Sequence, residues 1–244
     1  MKYSINNVGR KITLNDGSIV ECIDGGSKRG HILIKITGGI KDYVTEIQIS
    51  QFNAKTIKNK YIPSIYGKGY IGEGKHKAKV NGKKNKAYNV WNSMMQRVYD
   101  EKYLEKKPSY RKVKICKEWH NFQNFAEWFE KNYIDGFQLD KDLLSNDELI
   151  YSPETCCFLP SVLNNSIILN RIGVYYSNFE NKYIAQIQIG TRVPKKIGRF
   201  DTKEEAIKAF KIEKRKRLDY LIDKYENILD KKAIDAIRKF KENI

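Results

Sequence analysis

Three segments near the start of the chain alternate apolar and polar residues: KITLNDGSIVECID, HILIKITG and YVTEIQIS. A period of two marks half-buried strands, and Asn15-Asp16-Gly17, Gly25-Gly26 and Gly38-Gly39 supply turns between them. Residues 1–62 are therefore predicted to form a small β-barrel module. The pattern then stops. Residues 63–87, PSIYGKGYIGEGKHKAKVNGKKNKA, show no hydrophobic period and are expected to be an exposed linker that marks a domain boundary.

Helical periodicity begins at Tyr88, where Val90/Trp91, Met94/Met95, Val98 and Tyr99 recur at three- and four-residue steps. A short strand is expected in RKVKICKEW. A second amphipathic helix follows in NFQNFAEWFEKNY, with Phe122, Phe125, Trp128 and Phe129 inward and His120 at its entrance in a capping or packing role. Between Phe137 and Arg171 come an acidic pair around a lysine, Asp140-Lys141-Asp142, and a turn-rich insert. A Tyr151-Ser152-Pro153-Glu154 helix-entry signal and a helical run with Asn164 and Asn165 complete the segment.

From Gly173 the period returns to two. Three short strands are predicted up to Phe200, then a helix with Asp201/Thr202 as N-cap and glutamates in its first turn, which suits the helix dipole. The tail KKAIDAIRKFKENI reads as a short amphipathic helix docked on the preceding one. The fold class is α+β. Its predicted parts are the barrel (1–62), the linker (63–87), a central domain (88–171), a three-stranded sheet plus helix (172–228) and a C-terminal helix (229–244).

Charge changes this picture. Forty-six Lys and Arg against 29 Asp and Glu leave a net charge of +17, which points to a polyanionic partner, with nucleic acid first and an anionic membrane surface second. Seven lysines against one glutamate between Lys68 and Lys86 make the linker strongly basic. Lys75, Lys77, Lys79, Lys83 and Lys84 are its candidate phosphate contacts, acting without sequence preference through counterion release. No apolar run is long enough for a membrane span and the N-terminus lacks a signal-peptide core, so an intracellular, cytoplasmic protein is expected. The four cysteines form no CxxC pair, so no zinc site is expected, and three histidines exclude a histidine-rich metal centre.

In the middle strand of the C-terminal sheet, Tyr183, Ala185, Ile187 and Ile189 share one face and make a core with Ala206 and Phe210. Ile184, Gln186 and Gln188 share the other. Amide side chains flanked by Arg192, Lys195, Lys196 and Arg199 suit a major groove of double-stranded DNA, where glutamine pairs with adenine and the cations hold phosphates.

Two resemblances follow. Gly173-Val174, Lys182-Tyr183-Ile184-Ala185, Ile197-Gly198-Arg199-Phe200 and Asp201-Thr202…Glu205-Ala206…Ala209-Phe210 resemble the APETALA2/ethylene-response type of DNA-binding domain. That family reads the major groove with its sheet. The positions matching its contacts are Tyr175, Ser177, Gln186, Gln188 and Lys196.

Residues 88–171 resemble the HNH endonuclease region found in phage and mobile-element proteins. The likeness runs through VWNSMMQRVYD, Val113-Lys114-Ile115-Cys116-Lys117-Glu118-Trp119, Phe122-Gln123-Asn124-Phe125, Leu139-Asp140, Tyr151-Ser152-Pro153-Glu154, Cys156 and Asn164. It implies a ββα-metal fold, with Asp140 and Asn164 as ligands of a magnesium or manganese ion. Lys141 stands where the family has its general-base histidine, and Thr155 where it has a structural asparagine. The resemblance therefore implies a homing-type, metal-dependent endonuclease with Asp140, Lys141 and Asn164 as its catalytic set. The alternative is a catalytically silent phage protein that binds DNA or inhibits a host nuclease.

Overall fold

The computed structural model describes residues 5–145, 148–168, 173–189 and 194–244. It is mixed α+β and divides into two compact units, Met1–Glu130 and Lys131–Ile244. The division falls inside the segment 88–171 that the sequence grouped together.

The first unit opens with an antiparallel meander of β1 (Lys11–Thr13), β2 (Ile19–Gly25), β3 (His31–Thr37) and β4 (Tyr43–Gln48), in that spatial order. Strict alternation on β3 drives Ile32, Ile34 and Ile36 inward. They meet Val20, Cys22, Tyr43 and Tyr61, together with Phe52 of the short α1 (Ile49–Asn53). A buried polar pair, Asn59 donating to Ser18 Oγ at 2.9 Å, is completed by Tyr61 N donating to Asn59 Oδ1.

Residues 63–87 are not the free linker that their composition suggests. The chain runs as a strap over the helical core of the same unit, and its glycines make that approach possible. A Cβ at Gly69 would stand 2.9 Å from the Trp91 ring, and one at Gly74 only 2.3 Å from Gln123 Oε1. The Gln123 side chain clasps the strap, accepting from His76 N and donating to the carbonyls of Ile71 and His76. Tyr70 also exchanges backbone bonds with His120 and Phe122. A packed strap needs no hydrophobic period, because backbone and glycine, not side chains, make the contact. The strap ends in a hairpin, β5 (Lys79–Val80) and β6 (Lys83–Lys84), closed by Asn81 and Gly82 with φ of 50° and 75°. Asn-Gly with both residues left-handed is the strongest short-range hairpin signal.

Helix α2 (Lys86–Tyr99) starts at once, its first amides capped by Asn85, and buries Ala87, Trp91, Met94, Met95 and Val98 as the period requires. After α3 (Glu101–Lys106) the expected strand shrinks to β7 (Lys114–Ile115) and a 3-10 turn that places buried Trp119. The Trp91 indole donates to the Trp119 carbonyl at 2.7 Å. Phe122 and Phe125 of α4 (Phe122–Asn132) close edge or tilted contacts with these two rings. His120 packs as expected, its Nε2 2.7 Å from the Tyr99 hydroxyl.

The second unit begins with β8 (Gln138–Asp140) and β9 (Ile150–Tyr151). β10 (Cys157–Leu159) pairs antiparallel with β8, setting Cys157 opposite Asp140. Helix α5 (Ser161–Ser166) then starts through Pro160. Tyr151–Glu154 is thus not the helix entry. Ser152 to Thr155 form a tight turn, with Ser152 N donating to Thr155 Oγ1, which itself donates to the Ile150 carbonyl at 2.7 Å. Pro153 sits in that turn, and a buried strand intervenes before the helix.

β11 (Val174–Ser177), β12 (Lys182–Ile187) and β13 (Lys195–Phe200) form the second sheet, antiparallel in chain order. Helix α6 (Lys203–Tyr225) opens on a Thr202/Glu205 capping box and lays Ala206 and Phe210 against Ala185 and Ile187. Its later residues Leu218, Leu221 and Ile222 join a different core with Leu159, Leu163, and Ala233, Ile234 and Ile237 of α7 (Lys231–Glu242).

Two outcomes test this description of the first unit. Gly72 lies at φ 69°, and a Cβ there would stand 2.1 Å from Asn121 Oδ1. Gly72→Ala should cost about 2 kcal/mol in denaturant melts, from left-handed strain and overpacking together. A free linker would tolerate the change. Burial, aided by nearby Lys68, pushes the His120 imidazole below its ordinary range against the opposing pull of the Lys117 carbonyl and Glu118. The unfolded chain therefore binds more protons than the folded one just below the ordinary histidine range, so stability falls as pH drops through it. His120→Gln should remove that part of the pH dependence of Tm.

Candidate functional site

Two places in the second unit and one in the first gather the residues that the sequence singled out. The acidic centre sits at the end of β8. Asp140 is buried, and its Oδ2 accepts from the backbone amides of Asp142 at 2.9 Å and Leu143 at 2.8 Å. Among the described residues its other oxygen, Oδ1, has no hydrogen-bond partner. Desolvation pushes this carboxyl above its ordinary range, and the two amides and Lys141 only partly offset it. A desolvated carboxylate with one oxygen pinned and the other unmatched is a fitting ligand for a hard cation, which prefers oxygen donors.

Asn164 lies mid-helix on α5, half-buried, and α5 packs against β8. Asn165, its neighbour, donates to the Ser161 carbonyl. Among the described residues no group of three or more His, Cys, Asp or Glu side chains gathers as a metal site. A ligand pair of one aspartate and one asparagine needs no such group.

Lys141 is only 7% exposed. Its ammonium forms an ion pair with Asp142 and lies 5.9 Å from the centre of the Tyr151 ring. The carboxylate and the aromatic face are both favourable neighbours for an ammonium. Asp142 itself remains 68% exposed at its side chain. Opposite Asp140, burial pushes the Cys157 thiol far up, so it is no nucleophile.

The open face of the β11–β13 sheet is the second place. In register, Tyr175, Ile184 and Arg199 lie abreast, as do Gln186 and Lys196. Plain alternation on β13 would turn Lys196 and Arg199 to opposite faces. A bulge at Ala185/Gln186 shifts the register by one, turns Ile197 into the core and returns both cations to the same face. They are held there by one acid, Glu180, which pairs with Lys196 at 3.2 Å and with Arg199. Those partners keep its carboxyl below the usual range, the Arg199 hydrogen bond first.

The remaining sheet positions divide. Tyr175 is half exposed, and Ser177 Oγ accepts from Glu180 N, tying the turn rather than facing outward alone. Gln188 is exposed just beyond β12. Lys195 sits opposite Ile187 and pairs with Glu213 of α6 at 2.8 Å, so it leans toward the helix side. Arg192 lies outside the described residues. Ile184, expected on an open face, is buried between Tyr175 and Arg199. Phe179, at the β11–β12 turn, is 99% exposed, a residue that sequence reading passed over.

The third place is the strap hairpin of the first unit. Lys75, Lys77, Lys79, Lys83 and Lys84 are all exposed. Lys75 pairs with Glu130 at 2.8 Å, and the Lys84 ammonium lies 5.8 Å from the Tyr88 ring centre. Lys79 and Lys84 face each other across the ladder. Like charges directly opposite each other are destabilising in a hairpin, so the arrangement suits a polyanion that screens them. Among the described residues no helix is long and apolar enough to cross a membrane.

Comparison with protein-family models, with curated proteins and with solved structures finds no match, so the site is read from its own geometry.

Proposed function

We propose that this protein binds double-stranded DNA, reading the major groove with the open face of the β11–β13 sheet and gripping phosphates with the strap lysines. The observation that carries this reading is the bulge-aligned face. Tyr175, Gln186, Lys196 and Arg199 share one surface, and an internal carboxylate, Glu180, occupies the place a phosphate would take. The amide of Gln186 is the group able to distinguish a base, while Lys196, Arg199 and the strap lysines supply affinity without sequence. The resemblance to the APETALA2/ethylene-response type supports the same use of the sheet. The four-stranded meander is read as a small barrel module that packs beside the strap.

Metal-dependent phosphodiester hydrolysis is the second reading, favoured by Asp140. We read β8, β10 and α5 as a ββα-metal unit of the HNH kind, in which Asp140 and Asn164 would hold a magnesium or manganese ion. Such an ion supplies charge neutralisation at a scissile phosphate. Lys141, already committed to Asp142 and Tyr151, positions Asp142. The exposed Asp142 carboxylate is the group beside Asp140 able to accept a proton from water.

DNA binding is tested by fluorescence anisotropy on a site selected from a random duplex pool. Gln186→Ala should relax preference by ~1–3 kcal/mol at one base position. Replacing Lys79, Lys83 and Lys84 by serine should weaken every sequence alike and lower the salt slope by ~0.9 for each phosphate no longer neutralised. Glu180→Gln should tighten binding at low salt. Identical behaviour of the first two variants would overturn the division of labour, and absence of binding the reading itself.

Hydrolysis is tested on supercoiled plasmid carrying the selected site, with magnesium or manganese. Nicking should disappear in Asp140→Asn while Tm is kept, because the amide oxygen can still accept from Asp142 and Leu143. Asp140→Ala strands both amides and should cost about 2 kcal/mol. Wild-type protein that binds the site but never nicks it would leave DNA binding as the whole function.

A further inference from the structure

The buried apolar stripe of α6 steps by four residues, Ala206, Phe210, Lys214, Leu218 and Ile222, and its central member is a lysine. Lys214 is 6% exposed. Its ammonium donates to the Ile168 carbonyl at 3.3 Å and lies 5.2 Å from the Phe240 ring centre and 5.9 Å from that of Phe210. Among the described residues it makes no ion pair with any acid. A buried ammonium with no acid partner is costly, and an anion brought to it would offset that cost.

A second cation stands one turn on. Arg217 donates through one terminal nitrogen to the Ile189 carbonyl at 3.0 Å, but its Nε is buried and, among the described residues, unpartnered. Both cations line a cavity of about 540 Å³ in the second unit, a size within the range of small-ligand sites. Ser166, Gln186, Gln188 and Phe210 line it too. The lining thus combines two positive charges, neutral hydrogen-bonding side chains and an aromatic ring, with no acid among its described members.

We propose that this cavity binds a phosphate monoester of nucleotide size, with Lys214 and Arg217 on the phosphate and the amide side chains and Phe210 near the base. Arginine and lysine converging on one site match a dianionic phosphate better than a single carboxylate. Asp140 is not among the lining residues, so the site stands whether or not the protein cleaves DNA, and Gln186 is the one residue it shares with the sheet face. The phosphate can come from a free nucleotide or from the 5′ end of a nucleic-acid strand.

Isothermal titration of the full chain with inorganic phosphate, the four deoxynucleoside 5′-monophosphates and the corresponding nucleosides tests the proposal. At least one monophosphate should bind more tightly than phosphate alone, and the nucleosides should not bind. Lys214→Met keeps the apolar stripe filled and should weaken binding by about tenfold or more while Tm is held or raised. Arg217→Gln should weaken it similarly, which covers the case in which the first variant misfolds. A short oligonucleotide with and without a 5′ phosphate separates the sources. Phosphate-dependent binding that is lost in Lys214→Met assigns the strand end, and discrimination confined to the free monophosphates assigns a soluble nucleotide. No monophosphate binding at millimolar concentration, or binding unchanged in both variants, would overturn the site.

Discussion

Helix α6 belongs to two hydrophobic cores at once, and the second unit depends on that double membership. Ala206 and Phe210 seal the three-stranded sheet, while Leu218, Leu221 and Ile222 seal β10, α5 and α7. At 1.5 Å per residue its 23 residues span about 34 Å, long enough to serve both without a break. One rigid rod therefore sets the sheet's open face relative to β8 and α5, the elements that carry Asp140 and Asn164. The Thr202/Glu205 capping box fixes where the rod starts, and the docked α7 fixes its far end. Between the two cores the stripe carries Lys214, and the packing opens into the cavity.

In the first unit the equivalent constraint is backbone on aromatic core. Gly69, Gly72 and Gly74 are tight against Trp91, Asn121 and Gln123, so the strap and the helices order each other. This gives the basic run a fixed shape. Lysines on a free tether would lose conformational entropy on meeting a phosphate backbone, whereas lysines on a short hairpin have already lost most of it on folding. The composition of a flexible linker thus serves a rigid ribbon.

The sequence carried most of the elements but little of their contact logic. Alternation was enough for the meander and for the Ala185/Ile187 core, because one buried face imposes a period of two. The four-residue stripe was enough for α2, and Thr202 with Glu205 for the start of α6. The strap was hidden because glycine and backbone contacts leave no period, although Asn81-Gly82 signalled its hairpin. Tyr151–Glu154 resembled a helix entry because Ser-Pro-Glu also makes a tight turn, and only the buried Cys157–Leu159 strand separates the two readings. The alignment of Lys196 with Arg199 rests on a bulge, which simple alternation assigns to the wrong face. Lys214 went unread in the sequence, because which side of α6 is buried along its later turns depends on α7.

The acidic centre and the sheet face use opposite electrostatic designs, and the difference bears on how each would act. At the sheet, Glu180 pairs with both Lys196 and Arg199 at the surface, where ion pairs are weak and exchange readily. A phosphate can displace it at small cost, so the cations are aimed in advance without being spent. At Asp140 the carboxyl is desolvated and accepts from two backbone amides, and Lys141 is turned to Asp142 and Tyr151 instead of outward. Burial there works against the charge, and the two amides only partly restore it. In the hydrolytic reading proposed above, Asp142, paired with the same lysine and open to solvent, is the carboxylate that would take a proton from water.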